Sequence, residues 1–244
     1  MTDAAPRISL VLPAFNEQAR LPSTLLALQQ HIESHALDAE VLVVDNGSDD
    51  ATSAVVHQAM THFPALRLVR TERAGKGLAV RTGMLAATGR VRFFGDADLS
   101  WPLADLERFA ALVGQGAPVV IGSREGYGAR RVGEPAYRHV MGRVFNRLVQ
   151  ALAVPGIEDT QCGFKAFDAE AAEAIFSRTR VRGFGFDVEV LFLARRLHFP
   201  VQSVALHWEH KENSRVHAVR DTLKMVADVL SVRVNDARGL YGAR

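Results

Sequence analysis

Short apolar runs alternate with longer amphipathic stretches through the first half of the chain. Each run is rich in Val, Leu, Ile or Phe and is followed by turn-forming or charged residues, a pattern that predicts buried strands. The predicted strands cover residues 8–12, 41–44, 66–69, 91–94 and 119–121. Patterns of helical period between them predict helices from just after Glu17 to about residue 36, and at 51–63, 78–87 and 102–113.

This alternation predicts one α/β domain. Strands that are apolar throughout are typical of a parallel sheet covered by helices on both faces. In the second half the pattern predicts a helix from residue 135, a helix that starts near 184–189 and ends near 197, an edge strand at 201–207, and a final helix. Leu223, Val226, Leu230 and Val234 form an apolar stripe on that last helix, which favours docking on the core or on a second copy of the chain.

Polar residues follow each predicted strand, and a parallel sheet brings such strand ends to one edge, where ligands bind. The pair Asp96 and Asp98 follows the fourth strand with only Ala97 between them. Two close carboxylates favour a hard cation such as Mg²⁺ or Mn²⁺. The alternative is that Asp96 caps a turn and that Asp98 or Ser100 caps the next helix.

Composition excludes several classes of protein. The 244 residues are 48% hydrophobic and 23% charged with a formal charge of +2, as expected of a globular protein without a polyanionic partner. Cys162 is the single cysteine, so no intrachain disulfide forms, and we expect a small core residue in a cytoplasmic protein. No segment approaches the roughly 20 apolar residues of a membrane span. Basic residues lack interleaved aromatics, which argues against nucleic acid.

Four motifs in order resemble the GT-A nucleotide-sugar glycosyltransferases of family 2. They are V-L-P-A-F-N-E (11–17), V-V-D-N-G-S-D-D (43–50), G-K-G-L-A-V-R-T-G (75–83) and D-A-D-L-S (96–100). The resemblance implies a GT-A fold with a mostly parallel central sheet, a nucleotide-binding half (1–122) and an acceptor-binding half (123–244). It also implies that Asp96 and Asp98 hold the metal, and that the donor nucleotide contacts Pro13, Phe15, Glu17, Asp45, Gly47 and Lys76.

The second half sharpens the resemblance. The motifs G-S-R, D-T-Q-C-G-F-K and F-D-V-E-V-L are similar to those of the dolichyl-phosphate β-glucosyltransferases and, more loosely, of the dolichyl-phosphate mannose synthases. By this likeness Arg124 and Arg138 hold an acceptor phosphate. Asp159, Gln161 and Lys165 border the sugar and acceptor, whereas Asp187 and Glu189 order the site or contact the sugar. We count Asp159 and Asp187 with Asp96 and Asp98 as catalytic.

The implied reaction moves a hexose, with UDP-glucose favoured as donor, to a polyprenyl phosphate with inversion. The basic amphipathic helix after residue 135 is typical of either a membrane-surface site or a core-facing helix, so peripheral docking on the cytoplasmic face is one expectation. Lys211 and Arg215 lie in a charged loop that could close over the donor. Alternatives are a GDP-mannose donor, a soluble hydroxyl acceptor with Asp187 or Glu189 as base, and a nucleotide-sugar-binding scaffold without activity.

Overall fold

The computed structural model describes residues 8–72, 74–133, 136–209 and 218–242, without the side chains of 136–138, 140 and 218–223. The strands are β1 (Ile8–Ala14), β2 (Ala39–Asp45), β3 (Leu66–Arg70), β4 (Val91–Gly95), β5 (Val119–Ser123), β6 (Arg130–Val132), β7 (Phe164–Asp168), β8 (Val201–Ala205) and β9 (His207–Glu209). The helices are α1 (Leu21–Ser34), α2 (Thr52–Met60), α3 (Lys76–Ala86), α4 (Asp105–Gly114), α5 (Ala136–Leu152), α6 (Ala169–Phe176), α7 (Phe186–Arg196) and α8 (Ala218–Ala237).

Seven strands form a central sheet in the order β3-β2-β1-β4-β7-β5-β8. Strands β1 to β4 pair in parallel, and so do β5 and β8, which confirms the predicted mostly parallel sheet. The chain leaves β1 towards β2 and β3 on one side and returns to β4 on the other. This reversal opens a crevice at the carboxyl ends of β1 and β4, the usual place for a ligand in such sheets.

Strand β7 lies inside the sheet, antiparallel to both β4 and β5, and the sequence pattern did not predict it. The run F-K-A-F-D carries a lysine at its second position, which interrupts the apolar signal of a buried strand. Because β7 runs in the opposite direction, its amino end lies beside the carboxyl end of β4, with Gly95 opposite Phe164. The segment before β7 therefore reaches the crevice.

Helices cover both faces of the sheet, as predicted. Residues of α1, α2 and α4 pack on one face around Phe93, Phe109 and Trp101. Residues of α3, α5, α6, α7 and α8 pack on the other face around Phe94 and Phe186. A buried polar network lies at the amino edge of the sheet, where Glu40 accepts hydrogen bonds from Ser9 Oγ, Thr88 N and Thr88 Oγ1, each at 2.7 Å, and pairs with Arg67 at 2.8 Å.

The apolar stripes predicted on α5 and α8 are only partly buried. Val229 and Val232 are the buried apolar residues of α8, and Val226 packs against the core. Leu230 and Val234, which we expected on a covered face, are 49% and 45% exposed because the core-facing stripe is shifted around the helix. On α5, Phe145 and Val149 are buried, whereas Val144 is 62% and Leu148 38% exposed. Within the described residues, no helix is long and apolar enough to cross a bilayer.

Candidate active site

Backbone and side-chain hydrogen bonds join the loops at the carboxyl ends of β1, β2 and β3. Asn46 is central, because its backbone N–H donates to Ala14 O at 2.8 Å and its Oδ1 accepts from Gly75 N at 2.8 Å. Asn16 adds a second connection, since its N–H donates to Ser48 Oγ at 2.9 Å. These bonds hold three loops as one rim around the crevice.

Most of the residues predicted to contact the donor nucleotide lie on this rim. Phe15 is 43% exposed, Glu17 pairs with Arg20 at 3.2 Å, and Gly47 has a φ of 75°, a conformation that side chains with a Cβ rarely adopt. Asp45 is buried, and its carboxylate accepts bonds from Ser48 N and from the Ser53 hydroxyl. Burial raises the pKa of Asp45, but these hydrogen bonds outweigh it and keep the pKa below its usual value. Pro13 is the half-buried penultimate residue of β1.

Asp96 lies at the point where the two halves of the chain meet. Its Oδ1 accepts a hydrogen bond from Lys76 Nζ at 2.6 Å, and its N–H donates to Gly163 O at 3.1 Å. A Cβ at Gly163 would lie 1.9 Å from Asp96 Oδ2, so only glycine leaves room for this carboxylate. Trp101 Nε1 donates to Asp96 O at 3.3 Å and its ring stacks on Phe164. The prediction that Asp96 caps a turn with its side chain is wrong, because this carboxylate pairs with Lys76.

Asp98 caps a local turn, since its Oδ1 accepts from Ser100 N at 3.0 Å and from Ser100 Oγ at 2.6 Å. The alternative that Asp98 or Ser100 caps the next helix is wrong, because α4 begins at Asp105 and its N-cap residue is Ala104. Oδ2 of Asp98 and Oδ2 of Asp96 have no hydrogen-bond partner among the described residues. Two carboxylate oxygens from neighbouring residues are the ligand type that Mg²⁺ and Mn²⁺ prefer. The donor set therefore fits a divalent cation.

Charged side chains of alternating sign extend from Asp96 and Lys76 into the protein interior. Lys165 is fully buried, and its Nζ donates to Asp187 Oδ1 and, at 2.7 Å, to Cys162 O. Burial would lower the pKa of Lys76, but attraction to Asp96 and Asp187 outweighs it and the pKa is raised. Burial also raises the pKa of Asp187, against the opposing effect of Lys165. Asp187 is thus an internal partner of two lysines and not a cap of α7.

Arg124, predicted to hold the acceptor phosphate, and Asp159, predicted to border the sugar and acceptor, contact each other. Arg124 Nε and Nη2 donate to the two Asp159 oxygens at 2.8 and 2.9 Å, and Trp208 lies under the guanidinium at 5.0 Å. Burial would raise the pKa of Asp159, yet Arg124 lowers it to about 2. Nearby, Gln161 Nε2 is buried without a hydrogen-bond partner among the described residues. A buried donor without a partner is a natural position for a ligand oxygen.

Glu189 lies behind the crevice, where it organises a loop. Its carboxylate accepts from the N–H groups of Arg180 and Val181 at 2.8 to 3.0 Å and from the Tyr241 hydroxyl at 2.6 Å. The same loop approaches the start of α3, because Arg182 O accepts from Gly77 N at 2.9 Å. Glu189 therefore holds the loop that packs against the start of α3, and its predicted role at the site stays a prediction.

Cys162 is a buried core residue, as expected. Burial raises the pKa of its thiol to about 12, which leaves no thiolate near neutral pH. The side chain of Arg138 and residues 211 and 215 lie outside the described part of the chain, so their predicted roles stay predictions.

The sequence interpretation missed three residues that shape the site: Gly163, Trp101 and Asn146. Asn146 on α5 donates to Ile157 O at 3.1 Å and to Glu158 O, and its Oδ1 accepts from Thr160 N and Oγ1. It thereby fixes the loop that carries Asp159 and Gln161. Gly163 lies inside the motif D-T-Q-C-G-F-K, which was the one sequence signal for it. The local sequence around Trp101 and Asn146 does not mark them, because they reach the site through tertiary contacts.

Known proteins resemble this chain over nearly its whole length. The chain is similar to the dolichyl-phosphate beta-glucosyltransferase of Drosophila melanogaster, with 34% identity over 97% of this chain and 76% of that protein. It is also similar to the human dolichyl-phosphate beta-glucosyltransferase, with 31% identity over 96% of this chain and 77% of that protein.

Among solved structures, it resembles glucosyl-3-phosphoglycerate synthase from Mycobacterium tuberculosis in complex with Mn²⁺, UDP and glucosyl-3-phosphoglycerate. The TM-score is 0.67 at 22% identity, over 93% of this chain and 80% of that one, and this likeness confirms the predicted GT-A fold. The family model for glycosyl transferase family 2 matches residues 9–176, and the chain belongs to that family of glycosyltransferases.

Proposed function

We propose that this glycosyltransferase moves glucose from UDP-glucose to a polyprenyl phosphate of the dolichyl type. The observation that carries the proposal is the similarity, at 31% and 34% identity over nearly the whole chain, to relatives named for glucose transfer to dolichyl phosphate. The crevice supports it, because it combines paired acids suited to a metal with cationic side chains suited to phosphate.

We assign donor binding to the first half of the chain, residues 1–122. Pro13, Phe15, Glu17, Asp45 and Gly47 would border the nucleoside, and Lys76 would face the diphosphate. Lys76 is suited to that position because it begins α3, and the positive end of the helix dipole also favours an anion. Asp96 holds Lys76 at 2.6 Å, so the lysine is already directed towards the metal site before a donor arrives.

Asp96 and Asp98 would hold Mg²⁺ or Mn²⁺. When bound, the ion supplies positive charge that stabilises the leaving nucleoside diphosphate. A structural neighbour was crystallised with Mn²⁺ and UDP-glucose, which supports a metal with this kind of donor. In this chain Ser100 orients Asp98 by binding one of its oxygens, and Gly163 leaves space beside Asp96.

We assign the acceptor to the second half, residues 123–244. A phosphate monoester has a second pKa near 6, so the acceptor is already largely a dianion and needs no general base. Direct attack of this oxygen on the anomeric carbon would invert its configuration. Arg124, oriented by Asp159, and Arg138 would bind the phosphate, and Gln161 Nε2 offers a donor without a partner among the described residues.

The remaining candidates have positioning roles in this proposal. Lys165 and Asp187 form a buried pair, and the Asp187 carboxylate also stabilises the positive charge of Lys76. Glu189 orders the loop packed against α3. The hydroxyl-acceptor alternative needs Glu189 or Asp187 as a base. Glu189 is poorly placed for it, because both of its oxygens already accept hydrogen bonds within the protein.

Peripheral binding to the cytoplasmic face of a membrane would bring a lipid acceptor within reach. The exposed face of α5 carries Val144 and Leu148 next to Arg143 and Arg147, a combination suited to an anionic lipid surface. Association of two copies through exposed Leu230 and Val234 of α8 is the competing use of such apolar surface.

Asp98→Asn tests the metal-dependent transfer. Asparagine keeps an oxygen that can accept the bonds from Ser100 but removes the negative charge, so the fold should survive while transfer falls about 100-fold or more. The measurement is glucose transfer from UDP-glucose to a polyprenyl phosphate with Mn²⁺. Asp168→Asn is the matched control, because Asp168 caps α6 at the other end of β7 and asparagine also caps helices.

The same assay separates the alternatives. Normal transfer by Asp98→Asn would refute the metal role of Asp98. Transfer from GDP-mannose but not from UDP-glucose would refute UDP-glucose as the donor. Turnover with soluble hydroxyl compounds but not with polyprenyl phosphate would refute polyprenyl phosphate as the acceptor. UDP-glucose binding without any transfer or hydrolysis would identify a scaffold.

A further inference from the structure

A cluster of metal-ligand side chains lies between α1 and α4, apart from the paired acids. Its members are His31 near the end of α1, His35 directly after that helix, and Glu107 on α4. One ligand atom from each lies within 4.8 Å of the others, and in the part of the chain that the structure describes this is the one group of three or more such residues. No step of the proposed transfer uses it.

The hydrogen bonds of the two imidazoles prepare them for a metal. His35 Nδ1 lies 2.9 Å from His31 O and 3.0 Å from Ser34 Oγ. Because a carbonyl oxygen only accepts, this contact favours the tautomer with the proton on Nδ1, which leaves the Nε2 lone pair for a metal. Imidazole ligands of metals commonly donate their second nitrogen to a backbone carbonyl in this way. His31 Nε2 lies 3.1 Å from Glu107 Oε2, so these two atoms already approach the separation of neighbouring ligands.

Spacing and exposure complete the site. His35 caps the carboxyl end of α1 four residues after His31, and the two rings are 4.2 Å apart between centroids. His31 is 10% exposed and anchors the cluster, whereas Glu107 is 34% exposed and His35 is exposed, so an ion has access. The His31–Glu107 pair alone would explain two of the residues but not the position of the His35 ring, which is tilted by 33° against His31.

We propose that His31, His35 and Glu107 form a second metal site, for a Zn²⁺-type transition-metal ion. Two imidazoles and one carboxylate are a known zinc donor set with an open fourth position, whereas Mg²⁺ prefers oxygen ligands. The site would join α1 to α4 at one end of α1. At the other end Thr24 Oγ1 already donates to Ala97 O, in the loop between Asp96 and Asp98, at 2.8 Å. The ion would therefore stiffen the layer that supports that loop.

Titration of the metal-free full chain tests the site without any nucleotide. Zn²⁺ followed by calorimetry, and Co²⁺ followed by visible absorption, should each show one saturable site that excess Mg²⁺ does not occupy. His35→Ala and Glu107→Ala should each weaken binding at least about tenfold. At 100-fold excess over its dissociation constant, Zn²⁺ should raise the melting temperature by about 5 °C.

Two controls make the result specific. His57→Ala removes an exposed histidine of α2 outside the cluster and should leave binding unchanged. Asp98→Asn should also leave it unchanged, so the outcome is independent of whether the transfer reaction is assigned correctly. Absence of a saturable site, or equal affinity in His35→Ala and the unaltered chain, would overturn the proposal.

Discussion

The charged residues of the crevice act in pairs, and each pair depends on residues far apart in the chain. Lys76 meets Asp96, Arg124 meets Asp159, and Lys165 meets Asp187. Burying a charge is costly unless a partner compensates it, so these pairs explain how ionised side chains remain inside the protein. They also place cations and anions at fixed positions before any substrate binds.

The Lys165–Asp187 pair gives a prediction at this scale. Lys165→Met should lower the free energy of unfolding by about 3 kcal/mol, because it leaves Asp187 buried without its main partner. Lys165→Met combined with Asp187→Leu should cost less than the sum of the two single changes. Urea unfolding of all four proteins measures the coupling, and strict additivity would show that the pair contributes nothing.

Individual helices and strands position the residues of the site through specific contacts. Helix α5 holds the loop before β7, β7 brings Gly163 to Asp96, and α7 presents Asp187 to Lys165. Helix α3 begins at Lys76, and the neighbouring Gly77 has no room for a side chain, since a Cβ would lie 2.5 Å from Val181 O. The positions of the functional side chains are therefore set by how elements pack.

Asn146 gives the prediction for an element. Asn146→Ala should release the loop of residues 157–160 from α5, because its backbone groups lose their buried partners. We expect a loss of about 2 kcal/mol in the free energy of unfolding. Faster hydrogen exchange at Thr160 N should accompany it. Gln150→Ala, on the same helix, is the control, and unchanged exchange in Asn146→Ala would contradict the assigned contact.

For the whole molecule, acid stability depends on the network at the amino edge of the sheet. Burial raises the pKa of Glu40, but bonds from Ser9, Thr88 and Arg67 outweigh it and lower the pKa from 4.5 to about 2. The folded state thus binds the proton less readily than the unfolded state. This stabilisation is complete above pH 4.5 and is lost as the pH falls towards 2.

Glu40→Gln measures that contribution. The difference between the two pKa values is equivalent to about 3 kcal/mol near neutral pH. We expect the variant to be less stable by up to that amount at pH 7 and to differ little from the unaltered protein at pH 2. Urea unfolding at both pH values tests this, and an equal difference at both would exclude protonation of Glu40 as the cause.

The first half of the fold was predictable because each parallel strand is a continuous apolar run followed by polar residues. Asp96 and Asp98 were found for the same reason, since they directly follow β4. In contrast, β7 contains Lys165, which is buried only because Asp187 arrives 22 residues later. A local sequence pattern does not show such a distant partner. For the same reason it did not predict the role of Asn146 or the exposed faces of α5 and α8.

The antiparallel insertion of β7 has a consequence for how the chain can be divided. Because β7 lies between β4 and β5, strands from before and after residue 122 are interleaved in one sheet. A fragment ending at residue 122 would present β4 with a bare hydrogen-bonding edge, and such edges invite aggregation. Exchange of half-chains between relatives would therefore sever the sheet itself, so the proposed donor and acceptor sites are better altered by point substitutions in the rim loops.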